Sequence, residues 1–439
     1  MPKGFWRLGL ILLAFLGFSV LLAPAAAAHV QIIAFGPADG SRLGAAPAQV
    51  DVRLSENVGV QQGSLRVFDT RGTQVDDGRV FQPGDESALV AVRLRPGLGD
   101  GSYLVNYAFV SEDSHPVRGA FAFVVGEGPL LSASGAVAAS TGTDTAVDTT
   151  FTVFKWGSFL GMAALGGLVF VLWCRPAGRT DPRVRKVLLA SAAMVAVSGA
   201  AALLLQGPYS TGQGLSGVFS PSSLKTTLSL PHGKLLILRL VAVAALAVLI
   251  RRLLVPLDSL TERVRFRYEN LAMVTGFLVL LSFSASGHAV SDSVPFFTIT
   301  ADLAHLGGMA VWLGGLVQIT LCLRRSGSEE ELRQALARFS PLAAISVGVV
   351  AASGVYLGLR IVPSFSALWT TTYGILLLLK LSGFVVLLAL ANLGRIAVRR
   401  RMTAGGVATA TRMRVTVATE VAIAAVVLLL AAILSTTAP

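Results

Sequence analysis

Only two cysteines occur in the 439 residues, Cys174 and Cys322, and neither falls in the polar N-terminal region. That excludes a disulfide framework and leaves each thiol as a small apolar side chain at a helix end. Charge is scarce as well. Asp, Glu, Lys and Arg make up 14% of the chain against 54% apolar residues, where a soluble domain carries roughly 25% charged. The mean hydropathy of +0.70 excludes an ordinary soluble protein. There is no G-x-x-x-x-G-K-[ST] loop, so no ATP site is indicated. There is also no H-E-x-x-H, no C-x-x-C-H haem attachment motif and no nucleophile beside a base, so nothing marks an enzyme. The charge that is present is basic, net +12. It sits between long apolar runs rather than in a patch, so it reads as an orientation signal and not as a nucleic-acid surface.

What is there divides into regions of different composition. Residues 1–28 have Lys3 and Arg7, then "LGLILLAFLGFSVLLA", then the small residues Ala26–Ala28. This reads as a secretory signal, with a retained anchor as the alternative. Cleavage after Ala28 would make His29 the first residue of the mature protein. Residues 29–126 alternate with strand periodicity: Val50, Val52 and Leu54 share one face, as do Leu65 and Val67, Tyr103, Val105, Tyr107 and Phe109, and Phe121, Phe123 and Val125. Turn clusters such as "QPGDE" and "RPGLGDG" separate the runs, and the spacing predicts an all-β Greek-key sandwich. Residues 127–150 are rich in Gly, Ser, Thr and Ala and read as a flexible linker.

From Phe151 to 436 the chain predicts an all-α membrane bundle. Eight apolar runs are long enough for a bilayer of ~30 Å, near 151–174, 186–206, 233–250, 270–286, 297–323, 340–360, 373–394 and 415–436. The odd-numbered loops hold the arginines, among them Arg183, Arg185, Arg251, Arg252, Arg324 and Arg399, and the even-numbered loops are almost bare. The positive-inside rule then predicts a multi-pass protein of the cytoplasmic membrane, with the sandwich and both mature termini outside.

All five histidines, His29, His115, His232, His288 and His305, fall on the outer side of this topology or in the outer half of a span. A mature N-terminal His29 would offer its α-amine and its ring, a pair that suits Cu(II). The stretch "SEDSHPVRG" supplies Asp113 and His115 at i and i+2, on one face of an extended segment. In the fifth span Asp302, His305 and Met309 form one helical stripe ending at Trp312, and His288 closes the fourth span. Met suits Cu(I) and imidazole either state, though Met309 at this spacing equally fits plain packing. Ionisable groups within a membrane mark a pathway, a pair or a site. Asp302 has Lys380 or Arg239 as possible neutralising partners, and Glu420 in the last span has a nearby arginine. His232 opens the third span as a boundary residue or a relay. The glycines at 307, 308, 314 and 315 suit close helix packing.

The two motifs "AHVQIIAFGPADGSRL" and "VSEDSHPVRGAFAFVVG" resemble the CopC family of periplasmic copper-binding domains over 29–126. The resemblance implies Cu(II) ligation by His29, Asp113 and His115. Some members also hold Cu(I) at a Met-rich site; no methionine lies between His29 and Gly126, so a Cu(II)-only site is implied here. "SASGHA" (284–289), "DLAHLGGMAVWLGGL" (302–316), "TTYGILLLLKL" (371–381) and Glu420 resemble the CopD family, and the fusion resembles the YcnJ type of copper homeostasis protein. The resemblance implies copper ions as ligand, the bilayer as environment and an extracytoplasmic copper chaperone as partner. Three functions follow: copper uptake with Cu(II) capture outside and a possible Cu(I) step in the membrane, sequestration without transport, or a haem-linked membrane oxidoreductase. The last needs two histidines at one depth on facing helices.

Overall fold

The structure is a computed structural model described for residues 32–110, 116–130, 145–211, 214–286, 295–323, 329–401 and 407–437, except 56, 59, 61, 62 and 363. Of the residues singled out above, His29, Asp113, His115 and His288 lie outside the described residues.

Eight strands build the N-terminal region: β1 (Ile32–Gly36), β2 (Arg42–Leu43), β3 (Gln49–Leu54), β4 (Leu65–Phe68), β5 (Asp76–Phe81), β6 (Leu89–Leu94), β7 (Gly101–Val110) and β8 (Pro116–Val125). They form two four-stranded sheets, ordered β1-β3-β6-β5 and β2-β8-β7-β4. The alternation of the sequence is the cause. Val50, Val52, Leu65, Val67, Val90, Val92, Val105, Phe109, Phe121 and Phe123 turn inward from both sheets and lose all solvent contact. Burying such side chains contributes about 1.5–3 kcal/mol each. Phe35 of β1 stacks on Phe121 of β8, with ring centroids 4.2 Å apart, and ties the sheets together.

The helical region consists of α1 (Thr145–Leu165), α2 (Pro182–Thr211), α3 (Pro221–Ser229), α4 (Pro231–Leu253), α5 (Glu262–Ser284), α6 (Pro295–Leu323), α7 (Glu329–Ile361), α8 (Thr372–Arg401) and α9 (Val407–Leu434). α1 begins inside the segment read as linker, because Val147 and Phe151 bury against Leu205 and Tyr209 of α2. α1 is interrupted at Gly166, resumes over Gly167–Val169 and ends in a π-helical turn, Phe170–Cys174. The break lies where α6 crosses: a Cβ on Gly167 would meet the Gly314 carbonyl oxygen at 2.8 Å. Small residues allow the two backbones to touch there, as in other membrane helix crossings. Cys174 and Cys322 are free and buried.

Among the described residues, seven helices, and not the expected eight, are long and apolar enough to cross a membrane: Thr145–Cys174, Pro182–Tyr209, Pro231–Leu253, Phe296–Leu323, Glu330–Ile361, Thr372–Asn392 and Val415–Leu434. The expected fourth span is helical, as α5, but Glu262, Arg263, Arg265, Arg267 and Glu269 occupy its first two turns. Its apolar stretch, Leu271 to Phe283, falls short of the roughly 20 residues a span needs.

Candidate functional site

In the sandwich, the described strands frame the expected copper ligands without including them. β1 starts at Ile32, so His29 is bound by the chain to within about 11 Å of it. β7 ends at Val110 and β8 restarts at Pro116, paired to one another, so Asp113 and His115 belong to the connection between these two strands. Next to that connection, Tyr107 lies across Gly119 of β8 and fills the place of a side chain there. Burial, with Asp39 nearby, holds the Tyr107 phenol above its ordinary pKa, so it stays protonated at neutral pH.

In the bundle, polar side chains from four helices meet. His305 on α6 points at α7, where its Nδ1 lies 3.1 Å from the Val350 carbonyl oxygen and 3.2 Å from Ser353 Oγ. A carbonyl only accepts, which assigns the proton to Nδ1. The Ser353 hydroxyl donates to the Val349 carbonyl at 2.5 Å and is thereby free to accept as well. Gly354 makes the approach possible, since a Cβ there would stand 3.3 Å from His305 Cε1. With Nδ1–H engaged, Nε2 carries the lone pair, and it makes no hydrogen bond among the described residues. This is the arrangement that orients a metal-ligating imidazole.

Asp302 stands one turn before His305. The Ser284 side chain of α5 and the charge of Lys380 of α8 both act on its carboxyl, and Lys380 also lies within electrostatic reach of His305; the Ser284 hydroxyl donates to the Ile299 carbonyl of α6 at 3.4 Å. Of the two partners the sequence allows for Asp302, the structure brings up Lys380. Arg239, on α4, turns elsewhere. It donates to the Ser282 carbonyl at 2.8 Å, to Ser282 Oγ at 3.1 Å and to Ser286 Oγ at 3.5 Å. Its guanidinium lies 3.6 Å above the Phe283 ring. A cation on the last turn of α5 complements the helix dipole. The serines of "SFSAS" thus divide between two helices: 282 and 286 serve Arg239, and 284 serves Asp302. Met309 is buried against the shared core beside Trp312, whose ring packs edge-on against Phe384 of α8 at 6.0 Å.

Glu420 on α9 is 4% exposed, and no lysine or arginine pairs with it among the described residues. The arginine expected beside it is not found there. Arg412 and Arg414, the basic residues nearest in sequence, lie eight and six residues before it on α9, and their side chains fall outside the description. His232 sits on the first turn of α4, at the boundary where the sequence puts it. Among the described residues no three His, Cys, Asp or Glu side chains converge as a metal site would require. Ser284, Ser353, the Val350 carbonyl and Gly354 were not foreseen. Their one signal in the sequence is small residues inside otherwise apolar runs.

Three family models match the chain: a CopC domain over residues 32–126, the N-terminal domain of a copper resistance protein D-like family over 146–296, and copper resistance protein D over 333–434. Among curated proteins, the copper transport protein CutJ of Bacillus subtilis is 29% identical over 91% of this chain and 73% of its own length. Copper resistance protein D of Pseudomonas syringae is 30% identical over 48% of this chain and 73% of its own. Copper resistance protein C of the same organism is 31% identical over 24% of this chain and 87% of its own.

Proposed function

Because the chain belongs to the copper resistance protein C and D families, joined in one polypeptide, we propose that it handles copper at a membrane and moves it inward. The sandwich captures Cu(II) through the α-amine and imidazole of His29, with Asp113 and His115 completing the set. Deprotonated amine, imidazole and carboxylate are the donor types such an ion takes. The bundle then receives the metal at His305 Nε2, with Met309 one turn deeper on the same stripe, a soft ligand suited to Cu(I). His288, four residues after α5 in the sequence, would complete the group.

The observation that carries this reading is His305. Its Nδ1–H is fixed by α7 and its Nε2 is left for a ligand. The arginines after the first and third spans support placing those loops on the cytoplasmic side and the sandwich on the other. The C-terminus shares the sandwich's side only if α5 also carries the chain across, its short apolar stretch packed between α4 and α6.

Cellular copper content tests the reading in strains with the intact gene, a deletion, His29→Ala and His305→Gln, with membrane abundance of the protein measured alongside. Lower copper in all three altered strains when copper is scarce is the expected result. Higher copper under excess would replace uptake with sequestration or export. One residue added ahead of His29 removes the α-amine from that ring, and tight Cu(II) binding should be lost with the sandwich still folded.

A further inference from the structure

The sandwich does not merely hang from the bundle. β7 and β8 rest on α2, and one side chain crosses the boundary. Arg118 of β8 is 16% exposed, and its Nη2 lies 4.0 Å from Asp148 Oδ1 on α1. Its guanidinium carbon lies 5.6 Å from the ring centroid of Tyr209 on α2. Tyr209 in turn stacks flat on Phe151 of α1, with centroids 4.2 Å apart and ring planes 7° from parallel. Nε and Nη2 of Arg118 are buried without a hydrogen bond. Among the described residues, both groups that compensate this charge belong to the bundle.

A desolvated guanidinium with no partner among the described residues of its own domain is costly. Lifting the sandwich away would return Arg118 to water, but it would also uncover Tyr209, which is 6% exposed, and the apolar cluster of Val147, Phe151 and Leu205 beneath it. Carboxylate and ring together suit an arginine, which can pair with one and lie over the other. Position gives the contact its meaning. Arg118 follows His115 by three residues, and the covalent chain holds the two backbones within about 11 Å.

We propose that Arg118, Asp148 and Tyr209 form a latch that seats the sandwich on the bundle, so that metal passes between the two in a docked state. The docking half stands on the contacts alone; the transfer half rests on the proposed function. Docking raises the effective concentration of donor beside acceptor beyond what a tether of this kind supplies.

Spin labels at Thr73→Cys and Ser222→Cys, both exposed, report the seating in the full chain in lipid nanodiscs, the native cysteines being buried. The unaltered pair should give one narrow distance distribution. Arg118→Asp should broaden it, and Asp148→Arg added to Arg118→Asp should narrow it again. A sandwich that had simply misfolded would not be rescued from the other domain. Tyr209→Ala, which leaves the sandwich untouched, should also broaden the distribution. Narrow, unchanged distributions in both Arg118→Asp and Tyr209→Ala would overturn the latch. At limiting copper, Arg118→Asp and Tyr209→Ala should lower cellular copper several-fold, with recovery in the charge-swapped pair. Broadened distances with wild-type copper would leave the latch standing and refute docked transfer. A deletion strain with normal copper would instead remove the uptake reading and leave the distance result intact.

Discussion

Asp76 in the sandwich and Asp302 in the bundle are carboxylates kept from bulk water, and they are satisfied in different ways. Asp76 is 0% exposed. It accepts from the Val67 amide at 2.7 Å, the Gly78 amide at 2.8 Å and the Gln74 side chain at 2.9 Å, all close by in sequence. Asp302 meets Ser284 and Lys380, each on a different helix from its own. One acid is held by a local turn of backbone. The other is held only if three helices come together in the right register. The sandwich therefore keeps its polarity as structure, and the bundle keeps it as a connection between parts that can be altered separately.

Breaking the connection in the bundle should produce the largest effect. Lys380→Ala removes the counter-charge that acts on Asp302 within the bundle, and a carboxylate left there without one is costly. All five tryptophans lie outside residues 29–126, so tryptophan fluorescence in a thermal melt follows the bundle. Its midpoint should fall sharply in Lys380→Ala. Asp302→Asn combined with Lys380→Met should recover most of the loss, because nothing charged is then stranded. A double variant as unstable as the single would show that the pair is not what holds these helices.

The corresponding change in the sandwich should be smaller and confined to it. Asp76→Ala orphans the buried Val67 amide and the half-buried Gly78 amide, and a buried group left unsatisfied costs about 1–3 kcal/mol. Amide exchange should speed up at Val67 and Gly78 and across β4 and β5, with the tryptophan melt of the bundle unmoved. A shift in the bundle's midpoint would mean that the two regions unfold as one unit, and the contrast between them would fail.

The same contrast decides what was legible in the sequence. Val50, Val52 and Leu54 announce their strand because period two is written within six residues, and their burial follows it. β2 and β5 carry no such pattern. β2 is two residues long, and β5 begins on the buried Asp76, whose role depends on the turn beneath it. In the bundle, apolar runs gave the helices and the stripe Asp302–His305–Met309. They could not say which helix faces the stripe, because a run of Leu, Val and Ala looks alike from every side. Lys380 and Arg239 stood at similar depths as partners for Asp302, and only packing separates them. The shortfall of α5 as a span lay in plain sight in Arg263, Arg265 and Arg267. They precede the apolar run, and the helix continues through them.

The smallest effect expected concerns Asp51, and it sharpens the comparison by its dependence on pH. Asp51 on β3 pairs with Gly36 of β1, and a Cβ on Gly36 would fall 2.7 Å from its carboxylate oxygens, so the neighbouring strand covers the acid. Burial raises the Asp51 carboxyl above the usual carboxylate value, while a hydrogen bond from Gln49 and the charge of Arg53 pull the other way. A folded-state pKa above the unfolded one means that the folded state takes up the proton first. Above both values the ionised group carries its desolvation cost in the folded state. As pH falls through the raised value that cost is relieved, and below the unfolded value it is gone. Asp51→Asn is neutral throughout. It should therefore stabilise the sandwich slightly at neutral pH, measured as slower amide exchange along β3 and β6, and the advantage should fade as the pH drops towards the ordinary carboxylate range. An advantage that grew on acidification would reverse the sign and mean that Gln49 and Arg53 outweigh burial. The acid would then be held by its neighbours in sequence, as Asp76 is, rather than confined by the strand across from it.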